Sequence, residues 1–311
     1  MRKSVTTEIP DQETKKDRIP VKDANIILLI TMSLWLINKF VLYRIPLMAT
    51  NIVVKNIVGK ILIVAPGLIY LATHHKSTVK VLGIEKPNCF NLLMTFCAAL
   101  CCWPISGFLN MLSMFFVKNR AEEILSRQIS LGFVPTLILT AVLPALTEEF
   151  VFRGIMYRSY RKYSVIGGAL ISALVFGLMH LNLNQMIYTV FNGIILALML
   201  EVTGSIVTPV SMHFLFNFFP ILLDFLMRDG SVSSASGMTS DTISPIILIV
   251  FGAISALSLY FLYRVIRKTA MRNKRFIAPA KTVSFKEIFD PALVTVLITA
   301  AVVTLLNTNY L

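Results

Sequence analysis

The sequence predicts an all-α polytopic membrane protein. Of its 311 residues, 56% are hydrophobic and only 14% are charged, and the mean hydropathy is +0.75. Soluble domains carry about 25% charged residues, and a soluble fold of this size could not bury so much apolar surface. Because a membrane-crossing helix needs roughly 20 apolar residues, we expect about eight transmembrane helices, or nine, around a polar cavity within the membrane.

Nine apolar stretches are the candidates for these helices. The second contains Lys55 and Lys60 and the last is short, so eight spans plus one interfacial or re-entrant segment remain an alternative. The polar residues 1–23 predict a cytoplasmic tail, and residues 24–308 predict a single transmembrane domain. The candidate stretches are 24–43, 52–73, 90–117, 131–153, 164–181, 185–203, 206–227, 245–263 and 290–308.

The positive charge is distributed as in a membrane protein and not as in a nucleic-acid-binding protein. The net charge is +13, yet the lysines and arginines lie in short segments between apolar stretches and form no basic face interleaved with aromatic residues. With the N-terminus inside, 21 of the 29 basic residues fall on the cytoplasmic side and five outside. We therefore expect a multi-pass protein of the cell membrane with a cytoplasmic N-terminus, in contact with the lipid bilayer and not with nucleic acid.

Three charged residues interrupt the fourth apolar stretch, in the segment LPALTEEFVFRG. An ionised side chain near the bilayer centre costs roughly 2.5–3.5 kcal/mol, so such residues usually face a protein interior or a cavity. Glu149 and Arg153 are four residues apart and share a helical face, where they can pair. Glu148 points about 100° away from Glu149 and has no cation at helical spacing. It needs a partner from elsewhere, and a carboxylate in that situation suits a general base.

Two histidines and an asparagine in other apolar stretches are placed to meet Glu148. If residues 143–181 form a helical hairpin, Glu148 and His180 lie at similar depth, because each helical residue rises about 1.5 Å. His213 and Asn217 are four residues apart and share a face of a third helix. A lone histidine within a membrane usually bonds one helix to another, but two of them near a glutamate favour a common polar pocket.

Such a pocket supports two chemistries. In the first, Glu148 takes a proton from water, His180 orients that water, and the hydroxide attacks a peptide carbonyl. His213 and Asn217 then donate hydrogen bonds to the oxyanion. In the second, Glu148, His180 and His213 hold a divalent metal such as zinc, which activates the water. The chain has no H-E-x-x-H helix and asparagine is a poor zinc ligand, so the metal-free chemistry is preferred while both stay open.

Three short motifs occur in order on these apolar stretches: EEFVFR (148–153), FGLMH (176–180) and HFLFN (213–217). They resemble the motifs EExxxR, FxxxH and HxxxN/B of the CPBP family of intramembrane proteases, which comprises CAAX proteases and bacteriocin-processing enzymes. The stretch TGSIVTPVSMHFLFN (203–217) is similar to the family's usual run into its third motif. The resemblance covers a protease motif core at about 130–220, under a third of the chain.

The resemblance implies a helical membrane fold with a conical catalytic cavity open to the membrane and the cytosol. It implies that Glu148 activates water as the base with His180 beside it, and that His213 and Asn217 stabilise the oxyanion. Family members are commonly labelled metalloproteases, which keeps a metal among the expectations. The motif positions that correspond to supporting residues are Glu149 and Arg153.

The function predicted from these residues is that of an intramembrane endopeptidase. Its substrate would be a peptide or the tail of a membrane protein, processed as a secreted precursor, a bacteriocin or a CAAX-type terminus. The alternative is a protein that binds without cutting, either in bacteriocin self-immunity or as a membrane scaffold. A transporter or channel would require broken helices paired between two related halves, and the sequence shows no such symmetry.

Overall fold

The computed structural model describes residues 18–117, 130–227, 244–275 and 288–309. Within these ranges the chain is helical and has no β-strand, which confirms the all-α prediction. Most of the predicted tail, residues 1–17, lies outside the described residues. The helices are α1 Val21–Phe40, α2 Pro46–Thr50, α3 Ile52–Thr73, α4 Thr78–Leu82, α5 Cys89–Met114, α6 Phe133–Tyr160, α7 Val165–Leu178, α8 Leu183–Thr203, α9 Val207–Met227, α10 Pro245–Asn273 and α11 Pro291–Asn309.

Nine of these helices correspond to the nine predicted stretches. Seven are long and apolar enough to cross a membrane, namely α1, α3, α5, α6, α8, α9 and α10. The other two, α7 and α11, are shorter apolar helices. With 14 residues, α7 falls below the roughly 20 that a full crossing needs. The chain is therefore a multi-pass membrane protein, and the orientation of its N-terminus stays a prediction.

Three helix ends differ most from the predicted ones. The helix α6 continues to Tyr160 and not to residue 153. The helix predicted to end at residue 263 continues through ten further residues, four of them basic, and ends at Asn273, where the next residue, Lys274, has a left-handed φ of 54°. Lysine and arginine are good helix formers and are favoured in a last turn, so the loss of hydropathy there did not mark a helix end. The helix of the second motif, by contrast, ends early, at Leu178.

The helices bury two hydrophobic clusters. The first joins mainly α1, α3, α6, α7 and α11, with Leu28 and Ile155 among its fully buried side chains. The second joins mainly α5, α8, α9 and α10 and includes Met199 and Met212. The two clusters meet where α6 contacts α9 and where α7 packs along α8. The polar residues of the predicted site lie on these joining helices.

The helix α6 is interrupted twice along its length. Its segment Leu143–Glu149 is α-helical and is flanked by wider π-type turns over Ile138–Val142 and Phe150–Tyr157. Pro144 has no amide hydrogen to give to the helical ladder, which is consistent with the altered turn before it. Interruptions of this type are frequent at functional sites. Here they bracket the two adjacent glutamates.

Candidate active site

Glu149 and Arg153 form a fully buried ion pair. Arg153 Nη1 donates to Glu149 Oε1 at 2.9 Å, and neither side chain has any exposed surface. Arg153 Nη2 also donates to the backbone carbonyl of Gly193 on α8, at 3.1 Å. Gly193 permits this approach, because an added Cβ would lie 3.1 Å from Nη2 and 2.9 Å from the Cβ of Ala173. The predicted pairing is confirmed, and it ties α6 to α8.

His213 reaches the same carboxylate from α9. Its Nδ1 lies 2.7 Å from Glu149 Oε1, the oxygen that Arg153 also contacts. An ionised carboxylate only accepts hydrogen bonds, so Nδ1 carries the proton and donates. The other ring nitrogen, Nε2, then faces Glu148, whose Oε2 lies 3.8 Å away. Glu149 therefore fixes both the tautomer and the direction of the His213 ring.

His180 is oriented in the same manner by a backbone group. The structure places it two residues beyond the end of α7, in a turn, and not within the helix as predicted. The chain can turn there because Leu181 adopts a left-handed φ of 50°. His180 Nδ1 donates to the carbonyl of Phe176 at 2.9 Å. The second ring nitrogen, Nε2, is therefore the one that can face the candidate site. The ring also lies close enough to Glu148 to interact with it electrostatically.

Phe176 forms a wall that these groups share. The guanidinium carbon of Arg153 lies 4.5 Å from the ring centroid of Phe176. The rings of His180 and His213 approach the same ring nearly edge-on, at centroid distances of 5.0 and 5.8 Å. Phe176 opens the motif FGLMH, although the sequence alone does not predict a role for it. Its position one turn before His180 was the signal that could have identified it.

Glu148, which has no cation at helical spacing on α6, pairs with a lysine from another helix. The Nζ atom of Lys60, on α3, lies 2.5 Å from Glu148 Oε1. The side chain of Glu148 keeps 13% of its surface exposed, whereas that of Glu149 is fully buried. In the sequence, Lys60 is a charged residue that weakens the prediction of a membrane span, and nothing there indicates its partner. Helical periodicity shows which face a residue occupies but not which helix packs on that face.

Asn217 lies one turn after His213 on α9 and is half-buried. In the described part of the chain no hydrogen bond joins its side chain to Glu148, His180 or His213. Its predicted role at the oxyanion stays a prediction. The other predicted site residues converge, because Glu148, Glu149, Arg153 and His213 are linked by direct contacts and Phe176 connects His180 to them.

A metal does not fit the arrangement of these side chains. Among the residues that the structure describes, no three histidine, cysteine, aspartate or glutamate side chains are placed to hold a metal ion. The candidate ligands Glu148, His180 and His213 therefore do not form a ready site. Lys60 places an ammonium on one carboxylate oxygen of Glu148, and a divalent ion bound there would be repelled at short range.

The comparison with protein families matches the segment that holds this site. Residues 130–219 match the family described as type II CAAX prenyl endopeptidase, Rce1-like. The matched segment is similar to a CAAX protease domain and covers less than a third of the chain. The matched Rce1-like segment contains every site residue described above except Lys60, and it implies a protease whose substrate is a peptide or protein. Searches of curated proteins and of solved structures found no match to the chain.

Proposed function

We propose that this protein is an intramembrane endopeptidase in which Glu148 activates water as a general base. The observation that carries the proposal is the relation between Glu148 Oε2 and His213 Nε2. At 3.8 Å the two atoms are too far apart for a direct hydrogen bond, yet a water beside them can bond to both. The Nδ1 atoms of both site histidines are already engaged, so each presents Nε2 to the pocket.

The reaction follows from these positions. Glu148 Oε2 takes a proton from the water, and the oxygen of that water attacks the carbonyl carbon of the scissile peptide bond. His213, protonated at Nε2, and Asn217 donate to the oxyanion that forms. Glu148 then returns the proton to the leaving amine as the carbon–nitrogen bond breaks. Donors of this kind are worth about 2.7–4 kcal/mol each in related reactions.

Glu149 and Arg153 support this reaction without entering it. A cationic His213 can donate Nε2–H to an oxyanion only if its charge is stabilised, and Glu149 lies 2.7 Å from Nδ1. Arg153 holds Glu149 in place and keeps its carboxylate paired in a fully buried position. A buried carboxylate without such a partner would be strongly unfavourable. The pair therefore fixes the carboxylate that orients the His213 ring.

The family match favours a substrate of the CAAX type, which is a C-terminal peptide released from a protein held at the membrane. The site lies on helices that cross the membrane or adjoin those that do, so the scissile bond must reach it from the bilayer or its surface. Processing of a bacteriocin or a secreted precursor would use the same chemistry. Non-catalytic immunity or scaffolding remains the alternative, and it would leave Glu148 dispensable.

The test is cleavage of quenched fluorescent peptides by purified protein in lipid vesicles. Prenylated CAAX-type peptides, their unprenylated forms and a mixed peptide library would be compared, each with and without a chelator. We expect Glu148→Gln to abolish cleavage. Glu85→Gln, which makes the same change at an exposed position, is the matched control and should leave cleavage intact.

Each arm has a defined consequence. Equal cleavage by wild type and Glu148→Gln would disprove the role of Glu148, and loss of cleavage with chelator alone would show that a metal takes part. Cleavage of prenylated peptides only would establish the CAAX-type substrate. The non-catalytic alternative would be favoured if the wild type cut none of the peptides and if wild type and Glu148→Gln bound them equally well.

A further inference from the structure

Lys60 is a charged residue within a predicted membrane span that the family match does not cover. It lies in α3, which is long and apolar enough to cross the membrane, and it precedes the matched segment by 70 residues. A lysine in such a position costs roughly 2.5–3.5 kcal/mol on insertion scales unless it is paired. Its partner here is Glu148, the proposed base, at 2.5 Å. The pairing therefore joins a helix outside the protease domain to the centre of the proposed reaction.

Two other lysines of the apolar stretches, Lys39 and Lys55, lie against aromatic rings. The Nζ atom of Lys39 lies 5.2 Å from the ring centroid of Trp35, and that of Lys55 lies 3.9 Å from the ring of Tyr43. These are cation–π contacts, in which an ammonium meets an aromatic face. Lys60 contacts a carboxylate within the site, with only 17% of its side chain exposed.

The contact divides the two oxygens of Glu148 between two tasks. Lys60 holds Oε1, and Oε2 is left facing Nε2 of His213 across 3.8 Å. Rotation of the carboxylate would break the bond to Lys60, so the ammonium fixes the direction in which Oε2 points. It also supplies positive charge that keeps a carboxylate ionised inside a membrane protein. Both effects are required of a base that must accept a proton from one particular water.

The backbone that carries Lys60 is itself held against α1. Gly59 is buried, and a Cβ at that position would lie 3.1 Å from Nδ2 of Asn38. One turn further along α3, the carbonyl of Ile63 accepts a hydrogen bond from Thr31, also on α1. The ammonium is thus presented by a packed helix and not by a free chain segment. A fixed donor of this kind can position a catalytic group to within the tolerance that catalysis needs.

We propose that Lys60 is a positioning residue that orients Glu148 and keeps it ionised for the activation of water. This inference rests on the proposed endopeptidase function. It assigns to α3 a part of the active site that the matched domain lacks. It also gives the site a built-in cation at the oxygen where a metal would otherwise have to bind.

The test compares kcat and KM for Lys60→Met and Lys60→Arg in the vesicle assay. Removing a group that positions the base should lower kcat by about 100-fold and leave KM within about threefold, because a positioning residue acts through Glu148 and not through binding of the substrate. Lys60→Arg keeps the charge but presents it differently, and we expect its kcat to lie about tenfold below that of wild type. The matched control is Lys55→Met, the same change on the same helix.

Rescue by an added amine separates positioning from a purely structural pairing. In Lys60→Ala, propylammonium should restore part of the lost kcat, and propanol at the same concentration should not. A structural role predicts lower thermal stability with no gain in kcat on adding the amine. Should Lys60→Met or Lys60→Ala fail to fold, Lys60→Arg decides, since wild-type kcat in that variant would overturn the proposal.

The two proposals fail in different ways. If wild type cleaves and Glu148→Gln does not, but Lys60→Met cleaves as fast as Lys55→Met, only the role of Lys60 is wrong. If cleavage by wild type is absent or independent of Glu148, the proposed function is wrong and the role of Lys60 falls with it.

Discussion

Glu148 and Glu149 are neighbours in the chain and both lie beside His213, but they differ in burial and in their basic partner. Glu149 is fully buried and shares one oxygen between Arg153 and His213. The side chain of Glu148 is 13% exposed, and one of its oxygens contacts Lys60. Its second oxygen faces Nε2 of His213. One helix thus presents one carboxylate to the protein interior and its neighbour to the partly exposed candidate site. A pair of adjacent glutamates in an apolar helix need not be two copies of one function.

The largest expected loss of stability comes from breaking the buried ion pair between Glu149 and Arg153. Arg153→Met leaves the carboxylate of Glu149 buried beside His213 only, and removing one partner of a buried pair costs about 3–5 kcal/mol. We expect a matching loss in the free energy of unfolding, measured by denaturant titration in mixed micelles. The double variant Glu149→Gln with Arg153→Met removes both charges and should recover much of the loss. An equally unstable double variant would contradict this account.

Gly193→Ala should disturb the surroundings of the same ion pair by crowding the contact between α7 and α8. An added Cβ would lie 3.0 Å from the backbone Cα of Ala173, so α7 and α8 would have to separate, and overpacking of this kind costs about 1–3 kcal/mol. The shift would also lengthen the hydrogen bond from Arg153 to the carbonyl of residue 193. Thermal melting in detergent would detect the change. Gly107→Ala, where an added Cβ meets nothing within 4 Å, is the control and should melt as wild type does.

Phe176→Leu tests the wall that the two sides share. The substitution removes a face for Arg153 and an edge for both site histidines, and aromatic contacts of this kind add about 0.5–1.5 kcal/mol beyond the area that they bury. We expect a modest loss of stability and a larger loss of kcat, since His180 and His213 lose their orientation. Thermal melting and kinetics on one preparation separate the two losses. Unchanged kcat would show that the hydrogen bonds at Nδ1 suffice.

The smallest effect on stability is expected from the same chemical change at the other glutamate. Glu148→Gln removes the counter-charge of Lys60, but it keeps the shape and an oxygen that can still accept from Lys60. Because both side chains of this pair are partly exposed, the free energy of unfolding should fall by only about 1 kcal/mol. Glu149→Gln should cost more, because Arg153 would then be buried without a counter-charge. Side-by-side unfolding curves of the two variants make the comparison directly. Equal losses would show that the two glutamates do not differ as described.

Much of the fold follows from the sequence because hydropathy and helix length are local properties. All nine apolar stretches are helices, and the hairpin that brings Glu148 and His180 together turns between Tyr160 and Val165 as expected. The pairing of Glu149 with Arg153 was also predictable, because residues four apart on a helix are neighbours. These conclusions need no knowledge of which helices pack together.

The remaining features depend on contacts between helices that are distant in the chain. The sequence offered three lysines within the candidate spans, and only packing of α3 on α6 selects Lys60 as the partner of Glu148. Arg153 also donates a hydrogen bond to a backbone carbonyl of α8. Since every residue has a backbone carbonyl, the sequence does not indicate which one accepts this bond. The position of His180 beyond its helix depends on the left-handed turn at Leu181, a conformation that leucine rarely adopts.

One polar contact far from the site bears on how the protein is made. Asn25, fully buried in α1, donates to the carbonyl of Ile288 just before α11 and accepts from the hydroxyl of Tyr160 at the end of α6. A ribosome delivers Asn25 to the membrane long before it delivers Ile288, 263 residues later. Until Ile288 arrives, the amide of Asn25 lacks the acceptor that it has in the folded protein. The helix α1 can therefore complete this contact only after the segment that leads into α11 has been made, so its packing depends on a part of the chain 263 residues further along.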